Sequence, residues 1–330
     1  MKNLLFFIVL FIYSGAVPAA AKYPISDHYD GKVFFNPENH HVHSFWEVMK
    51  WRFSGQQSEW PEFIRNKAYP LPKVAADQRA VVTFINHSTF LIQLNGLNIL
   101  TDPLFSQRTS PFSFLGPSRV RGPGVKLEEL PKIDVVVVSH NHYDHLDLEA
   151  LKILDGKFKP LFLVPLGDER LLKEAGLQNV REMDWWQEQV IREHKIVFTP
   201  AQHWSARGLF DKCKSLWGSF YVLSPDFKIY FGSDSGYGPH FSNIRLRLGA
   251  PDLSLLPIGA YAPRYFMKYH HMNPEESVKA HQDLNSGLSI AMHFGTFQLT
   301  DEPVDEPVTR LNKVKGESFI VLDQGESRTF

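Results

Sequence analysis

A loop rich in metal-binding side chains decides the fold and the chemistry expected of this chain. Residues 139–147 read Ser139-His140-Asn141-His142-Tyr143-Asp144-His145-Leu146-Asp147, directly after the buried strand predicted at 133–138. A loop behind a buried strand lets three imidazoles and one carboxylate turn toward two neighbouring points without straining a helix or a strand. Because no cysteine stands nearby to compete, the H-x-H-x-D-H spacing predicts a metal site with nitrogen and oxygen ligands.

Three more candidate ligands each follow a predicted strand in a turn of small residues. They are His203 in the run TPAQH, Asp234 in GSDSG and His293 in AMHFG. Strand ends can converge at one rim of a two-sheet structure, so we expect two adjacent metal ions there. Asp234 is the natural bridge because a carboxylate has two oxygens. The expected ligand sets are His140, His142 and His203 for one ion, and Asp144, His145 and His293 for the other.

This ligand set predicts a hydrolase. Nitrogen and oxygen donors suit zinc, and we expect two Zn²⁺ per chain, although iron or manganese would accept the same ligand types. Two ions ~3.5–4 Å apart lower the pKa of a shared water and neutralise charge that develops on a substrate oxygen. His87 and Asp102, near strand ends, are candidates to hydrogen-bond a metal ligand. Alternatively, His87 is a loop histidine whose hydrogen bonds are satisfied locally, and Asp102 serves to form a turn.

The composition is that of an ordinary neutral globular protein. With 330 residues and 43% hydrophobic content, the chain can form one large core, and its net charge of −1 gives no reason to expect a nucleic-acid partner. Cys213 is the only cysteine, which excludes an intramolecular disulfide and predicts a structural or surface thiol.

The first 21 residues have the layout of a secretory signal peptide. Lys2 precedes an apolar run at 4–13, and small residues end at Ala21. About ten apolar residues are too few to span a bilayer comfortably. We therefore expect cleavage near Ala21 and a periplasmic or secreted protein that can associate with a membrane. A retained N-terminal anchor is the alternative.

Residues 22–78 form an N-terminal lead-in, rich in proline, histidine and tryptophan. Within it, residues 45–53 suit a short helix, which either lies in a membrane interface or packs on the body of the protein. His40, His41 and His43 form either a solvated face or an adventitious metal site.

Residues 79–330 are expected to form one catalytic domain. From residue 80 the pattern becomes β, and Asn95-Gly96 between two apolar runs marks a hairpin. Helical segments are interspersed among the later strands, one of which is expected at 191–198. This order predicts an α/β (α+β) sandwich, in which two sheets are covered by helices on the outside.

Six longer runs carry a resemblance to a known family. They are residues 100–105 (LTDPLF), 116–119 (GPSR), 184–186 (DWW), 199–204 (TPAQHW), 216–219 (LWGS) and 257–269 (PIGAYAPRYFMKY). On these runs, the chain from about residue 82 to 297 resembles N-acylphosphatidylethanolamine-hydrolysing phospholipase D, a branch of the metallo-β-lactamase superfamily. The resemblance implies an αββα sandwich, the seven metal ligands above, and cleavage of N-acylphosphatidylethanolamine into phosphatidic acid and an N-acylethanolamine.

The resemblance also implies roles for individual residues. Asp144, Asp234 and His271 would be catalytic, and His271 matches a family histidine near the substrate head group. Tyr261, Arg264 and Lys268 would bind substrate together with His271, and the two basic side chains would hold phosphate. The chain departs from the family at His270, where another polar residue is usual, and at residues 233–235, where Ser-Asp-Ser replaces Gly-Asp-Thr.

We therefore expect a two-zinc phosphodiesterase of phospholipase D type. A metal-dependent lactonase or other ester hydrolase of the same fold is the alternative, and a non-hydrolytic metal-binding or redox protein is a second one. The expected partners are a phospholipid or small phosphodiester substrate and a membrane surface contacted peripherally. Nucleic acid is not expected, and the choice between monomer and homodimer stays open.

Overall fold

The computed structural model describes residues 21–39, 41, 43–53, 57–72, 74 and 78–330. Most of the signal peptide predicted at 1–21, and His40 of the lead-in, lie outside these described residues. Within them, no helix is both long enough and apolar enough to cross a bilayer.

Seven strands form the first sheet, which carries the ligand loop. They are β1 (Ala80–Asn86), β2 (Thr89–Leu94), β3 (Leu97–Thr101), β4 (Val135–Val137), β5 (Leu161–Pro165), β6 (Val180–Met183) and β14 (Ser327–Thr329). Their order is β14-β1-β2-β3-β4-β5-β6, antiparallel from β14 to β3 and parallel from β3 to β6. Because strand side chains alternate between faces, Val135 and Val137 lie in the core between the sheets and Val136 lies in the outer core.

Seven further strands form the second sheet. They are β7 (Glu188–Ile191), β8 (His194–Thr199), β9 (Ser219–Leu223), β10 (Lys228–Phe231), β11 (Leu253–Pro257), β12 (Leu288–Met292) and β13 (Phe319–Ile320). Their order is β13-β12-β11-β10-β9-β8-β7, parallel from β13 to β10 and antiparallel from β10 to β7. Phe198, Phe231 and Leu255 lie in the core shared with the first sheet.

Seven helices accompany the two sheets in the described part of the chain. They are α1 (Phe45–Arg52), α2 (Leu148–Phe158), α3 (Glu169–Glu174), α4 (His240–Leu248), α5 (Arg264–Met267), α6 (Pro274–Leu284) and α7 (Glu306–Val314), with a 3-10 turn at Leu127–Glu129. Leu151 of α2 and Leu172 of α3 pack on the first sheet, whereas Ile244, Leu284 and Leu311 of α4, α6 and α7 pack on the second. The result is the αββα sandwich that the sequence predicts.

Local signals in the sequence explain several of these elements. Asn95 and Gly96 both have positive φ, 44° and 76°, as the predicted hairpin turn requires. The Asp147 side chain accepts a hydrogen bond from the Ala150 amide and caps α2. One strand prediction was wrong: residues 191–198 are not one strand, because Arg192, with φ 55°, turns the chain between β7 and β8.

The lead-in packs on the sandwich along part of its length. Tyr29 and Phe34 join the core between the sheets. In α1, the Trp51 indole donates a hydrogen bond to the Asp301 carboxylate at 3.1 Å. Trp46 and Phe53, in contrast, are 77% and 81% exposed. The helix predicted at 45–53 therefore exists, with one side against the body and another open to the surroundings.

Candidate dinuclear metal site

Strand ends from both sheets meet at one rim of the sandwich. In the first sheet, β4 leads into the loop that holds His140, His142, Asp144 and His145. In the second sheet, His203, Asp234 and His293 follow β8, β10 and β12. All the sequence-predicted metal ligands come together here, as the following distances show.

The first three histidines form one cluster. Nε2 of His203 lies 3.2 Å from Nδ1 of His142. The rings of His140 and His203 are 4.6 Å apart between centroids. The ligand atoms that the three side chains can offer all lie within 4.8 Å of one another.

Asp144, His145 and His293 form a second cluster, and Asp234 joins both. Oδ2 of Asp144 lies 3.4 Å from Nε2 of His145 and 3.4 Å from Nε2 of His293. Oδ2 of Asp234 lies 3.2 Å and 3.1 Å from the same two nitrogens. It also lies 3.9 Å from Nε2 of His203 in the first cluster. Asp234 therefore occupies the position that a bridging carboxylate needs.

These distances fit a pair of first-row metal ions. Bonds of roughly 2.0–2.2 Å in a tetrahedral zinc site place neighbouring ligand atoms about 3.3–3.6 Å apart, close to the separations above. Nε2 of His140 and Oδ1 of Asp234 are buried without a hydrogen-bond partner among the described residues. Leaving such atoms unpaired costs free energy. A cation held between the ligands would give both atoms a partner.

The hydrogen bonds behind the ligands turn the correct nitrogen inward. Nδ1 of His145 donates to Oδ2 of Asp102 at 2.7 Å, and Nδ1 of His203 donates to the His270 carbonyl at 3.0 Å. Nδ1 of His140 lies 2.9 Å from the Ser139 hydroxyl, which itself donates to Asp102 at 2.6 Å. In each case Nε2 is left as the free lone pair that a metal requires.

The buried carboxylates make the site attractive to positive charge. Burial alone would raise the pKa of Asp234, but His293 and His145 lower it well below its usual range. Burial would likewise lower the pKa of His293, but Asp234 and Asp144 raise it to about 9. In the metal-free protein, a proton on His293 therefore occupies a position that a metal ion would take.

His87 lies beside the second cluster. Its Nε2 is 3.2 Å from Oδ2 of Asp144, and its carbonyl accepts the amide of His293 at 2.7 Å. The backbone here is unusual, since His87, Asp102 and His293 all have positive φ, at 46°, 33° and 59°. Gly259 permits this close packing, because a Cβ at that position would collide with the His293 carbonyl.

Arg207 holds the ligand loop from outside and was missed in the sequence. Its Nη1 donates to the carbonyls of Asn141 and Leu146 at 2.9 Å and 2.8 Å, at the two ends of the ligand run. Its guanidinium also lies 3.9 Å from the centre of the Tyr143 ring. The neighbouring Asn141 amide donates to Asp168 at 3.0 Å, and burial raises the pKa of Asp168 to about 7.

A cavity of about 370 Å³ opens onto the ligands. Its polar lining includes His142, Asp144, Asp234 and His271. Nδ1 of His271 lies 3.7 Å from Oδ2 of Asp234, and burial lowers the pKa of His271 to about 3, so its ring is neutral at pH 7. The apolar lining residues are Val48, Trp51, Pro117, Trp204, Ala260, Phe266, Met267 and Leu299.

Of the four residues expected to bind substrate, His271 alone lines this cavity among the described residues. The Tyr261 hydroxyl donates to Glu306 at 2.7 Å. Arg264 donates to the Glu276 carboxylate at 2.7 Å and to the His271 carbonyl at 2.8 Å. Lys268 is exposed, with its ammonium 4.8 Å from the Tyr269 ring. The structure therefore does not bring Tyr261, Arg264 or Lys268 to the cavity, because each side chain is engaged elsewhere.

Lys212 is a cation that does line the cavity and that the sequence did not single out. Its ammonium donates to the His43 carbonyl and lies 5.6 Å from the centre of the Trp204 ring. The side chain is otherwise exposed, which leaves hydrogens of the ammonium for a ligand. Nothing in the local sequence distinguishes Lys212 from the other basic residues of the chain.

The sequence pattern of the beta-lactamase superfamily domain matches residues 97–294. The chain belongs to the beta-lactamase superfamily. Among solved structures of this fold, the metallo hydrolase Igni18 of Ignicoccus hospitalis superposes with a TM-score of 0.58 at 23% identity, covering 76% of this chain and 98% of Igni18. The fold expected from the sequence is thereby confirmed.

Similar proteins include members of the N-acylphosphatidylethanolamine-hydrolysing phospholipase D branch of the superfamily. N-acyl-phosphatidylethanolamine-hydrolyzing phospholipase D 1 of Caenorhabditis elegans is 33% identical over 328 residues, covering 90% of this chain and 92% of the nematode protein. The resemblance to that branch is thereby confirmed. An uncharacterized protein of Mycobacterium tuberculosis is 43% identical over 238 residues, covering 71% of this chain. The alignment spans 63% of the mycobacterial protein, less than two thirds of its length.

Proposed function

We propose that this superfamily member is a metal-dependent phosphodiesterase of phospholipase D type. Its substrate would be N-acylphosphatidylethanolamine or a related phospholipid, cleaved to phosphatidic acid and an N-acylethanolamine. The observation that carries the proposal is the cavity, whose lining combines candidate metal ligands with eight apolar residues. Such a site suits a molecule with a polar reacting group and hydrocarbon chains.

The seven ligands would hold two Zn²⁺ ions. When bound, the ions would activate a water molecule and neutralise charge on the phosphate oxygens. Asp234 would be a ligand of both ions, because its Oδ2 lies within 3.9 Å of ligand nitrogens from each cluster. Asp102, through its hydrogen bond to His145, would keep that ligand in the correct tautomer.

His271 would orient the head group beside the metal ligands. As a neutral imidazole it can accept or donate one hydrogen bond without adding charge to the site. Arg264 acts on it from behind, because its guanidinium joins the His271 carbonyl to Glu276. We therefore assign Arg264 a positioning role and not a phosphate contact. Lys212, a basic residue that lines the cavity, is then the proposed phosphate-binding cation.

The cavity mouth also suits contact with a lipid surface. Three segments that contribute lining residues expose large apolar side chains nearby in sequence. Leu209 and Phe210, just before Lys212, are 91% and 85% exposed. The other such side chains are Phe112, Phe114 and Leu115, between Thr109 and Pro117, and Trp46 and Phe53, at the ends of α1. We propose that this rim touches the membrane so that a lipid can enter the cavity.

Product analysis tests the substrate class. Purified protein loaded with zinc would be given N-acylphosphatidylethanolamine, a lactone and bis(p-nitrophenyl) phosphate, and the products identified by mass spectrometry. We expect an N-acylethanolamine and phosphatidic acid, with the highest kcat/KM for the lipid. A lactone turned over far faster than either phosphodiester would instead favour a lactonase.

A matched pair of lysine variants sharpens this test. Lys212→Gln should lower kcat/KM for the phosphodiesters by about three- to thirtyfold through loss of a charged contact, and should leave a neutral lactone unaffected. Lys214→Gln is the control, since Lys214 is exposed on the same loop and does not line the cavity. Equal effects of the two substitutions would remove Lys212 from the proposed site.

A further inference from the structure

Two histidines and a glutamate of the lead-in meet beside the cavity, which one of them, His43, lines. Nε2 of His41 lies 3.1 Å from Nδ1 of His43. Oε1 of Glu47 lies 4.0 Å and 3.9 Å from these two nitrogens. We propose that His41, His43 and Glu47 form a third divalent-cation site, suited to Zn²⁺ by its two imidazoles and one carboxylate.

This site is separate from the seven ligands. The His43 ring lies 5.4 Å from that of His270, and the His270 ring lies 5.9 Å from that of the ligand His203. None of the three lead-in side chains approaches the dinuclear clusters within ligand distance among the described residues. A cation bound here would therefore be an additional one.

The neighbours of His43 and Glu47 turn their free atoms toward the site. Nε2 of His43 donates to the Phe266 carbonyl at 2.6 Å, so the neutral ring carries its lone pair on Nδ1. Oε2 of Glu47 accepts the Ser44 amide at 2.8 Å in the capping box of α1, which leaves Oε1 free. Orientation of a ligand through its second polar atom is the usual arrangement around a bound metal.

His41 completes the set from the other side. Its ring packs on Tyr269 at 4.1 Å between centroids, and its backbone amide donates to Asn39 at 3.0 Å. Its Nε2 faces the lone pair of His43, so a proton or a metal ion must lie between the two nitrogens. Their separation is close to the roughly 3.3 Å expected between neighbouring ligands of tetrahedral zinc. The Glu47 side chain is 47% exposed and so can move the short distance that remains.

The site would connect the lead-in to the cavity lining. Glu47 belongs to α1, whose Val48 and Trp51 line the cavity, and His43 is bonded to Phe266 of α5 in the same lining. A cation would link these segments directly. We expect this cation to stabilise these lining segments, whatever reaction the metal ligands support.

Zinc titration tests the proposal. Full-length protein with its dinuclear site already loaded would be titrated with Zn²⁺ against a chelating indicator. We expect one additional equivalent in the wild type. His41→Phe, which retains a ring to pack on Tyr269, and Glu47→Gln, which can preserve the capping box, should each weaken that equivalent by more than about tenfold. Glu59→Gln, at an exposed lead-in position, should bind as the wild type does.

The titration compares the extra zinc bound by the wild type with that bound by each variant. Its result therefore does not depend on the proposed enzymatic activity. The thermal midpoint in micromolar zinc supplies a second readout, because binding to the folded state raises it. The rise should be larger for the wild type and Glu59→Gln than for His41→Phe and Glu47→Gln. The proposal is overturned by the absence of an extra equivalent in the wild type, or by its full retention in both variants.

Discussion

Asp102 holds His145 in the orientation that a metal ligand needs. Oδ2 of the carboxylate accepts Nδ1–H of the ring at 2.7 Å, and both side chains are completely buried. The same carboxylate accepts the amide and the hydroxyl of Ser139, at 2.7 Å and 2.6 Å. Since Ser139 precedes His140, one buried carboxylate orients ligands of both clusters.

Asp102→Asn should therefore weaken metal binding without removing a ligand. The amide oxygen cannot accept all three hydrogen bonds, and loss of such support typically costs 10–100-fold in metal affinity. Zinc retained after dialysis against a calibrated chelator measures the effect. Asp155→Asn on α2 is the control, and equal zinc retention in the two variants would contradict the role assigned to Asp102.

Asp234→Ala should have the largest effect of any single ligand substitution. The wild type should bind close to two metal ions per chain, because seven ligands are too many for one tetrahedral ion. The variant should keep at most one ion and lose activity, because the change removes a ligand from both clusters at once. Elemental analysis of the purified proteins decides the point. One ion per chain in the saturated wild type would argue against a dinuclear site.

Zinc binding to the metal-free protein should release protons at pH 7. Against the effect of burial, Asp234 and Asp144 raise the pKa of His145 well above its usual range and that of His293 to about 9. Both rings are therefore protonated at pH 7 and must lose that proton to bind metal, so about two protons should leave per chain. Affinity should rise with pH up to about 9. Calorimetry in buffers of different ionisation enthalpy measures the release, which should fall at pH 10.

Leu209→Ser with Phe210→Ser should reduce binding to phospholipid vesicles. Both side chains are almost fully exposed, three and two residues before the cavity residue Lys212, and removal of their apolar surface from water would favour membrane contact. Co-sedimentation with vesicles measures the change, and the zinc content should be unaltered. Ile153→Ser is the control, since Ile153 is 55% exposed on α2. Unchanged vesicle binding in the double variant would exclude this rim as the contact.

His28 should make the docking of the lead-in depend on pH. Its ring lies 2.7 Å from Asp184 of the sandwich and 2.6 Å from Asp27. Burial lowers the pKa of His28, but hydrogen bonds to Asp184 and Asp27 outweigh it and give a net rise. The stabilisation is then fully present below about pH 6.5 and is lost as pH rises through the folded-state pKa.

The matching variant is His28→Gln. It should lower the free energy of unfolding by about 1 kcal/mol at pH 6 and by less at pH 9. Denaturant unfolding of both proteins at the two pH values checks this. A difference between wild type and variant that grows from pH 6 to pH 9 would reverse the assigned sign.

The fold and the convergence of the metal ligands follow from short-range patterns in the sequence. The ligands at 140–145 lie in one loop after one buried strand, so their spacing alone predicts the site. Asn95 and Gly96 predict their turn because both residues readily adopt positive φ. The turn at Arg192 has no such marker, because arginine rarely adopts positive φ and is held there by its surroundings. The wrong strand at 191–198 follows from that.

Contacts around the cavity could not be predicted in the same way. Arg264 lies in the run most similar to the family, yet its partner is Glu276, twelve residues further along the chain. Lys212 lines the cavity, and its ammonium is bonded to the carbonyl of His43, which lies 169 residues earlier in the chain. Side-chain direction at such positions depends on long-range packing, which sequence spacing does not encode.

The seven ligands are divided between two sheets, with the first at residue 140 and the last at residue 293. A nascent chain leaving the ribosome therefore carries its histidine loop long before the last histidine has been synthesised. Neither cluster is complete within one sheet, so ion capture must wait until the sheets have docked. We therefore expect the loaded form to depend on metal that is supplied after translation and not during it.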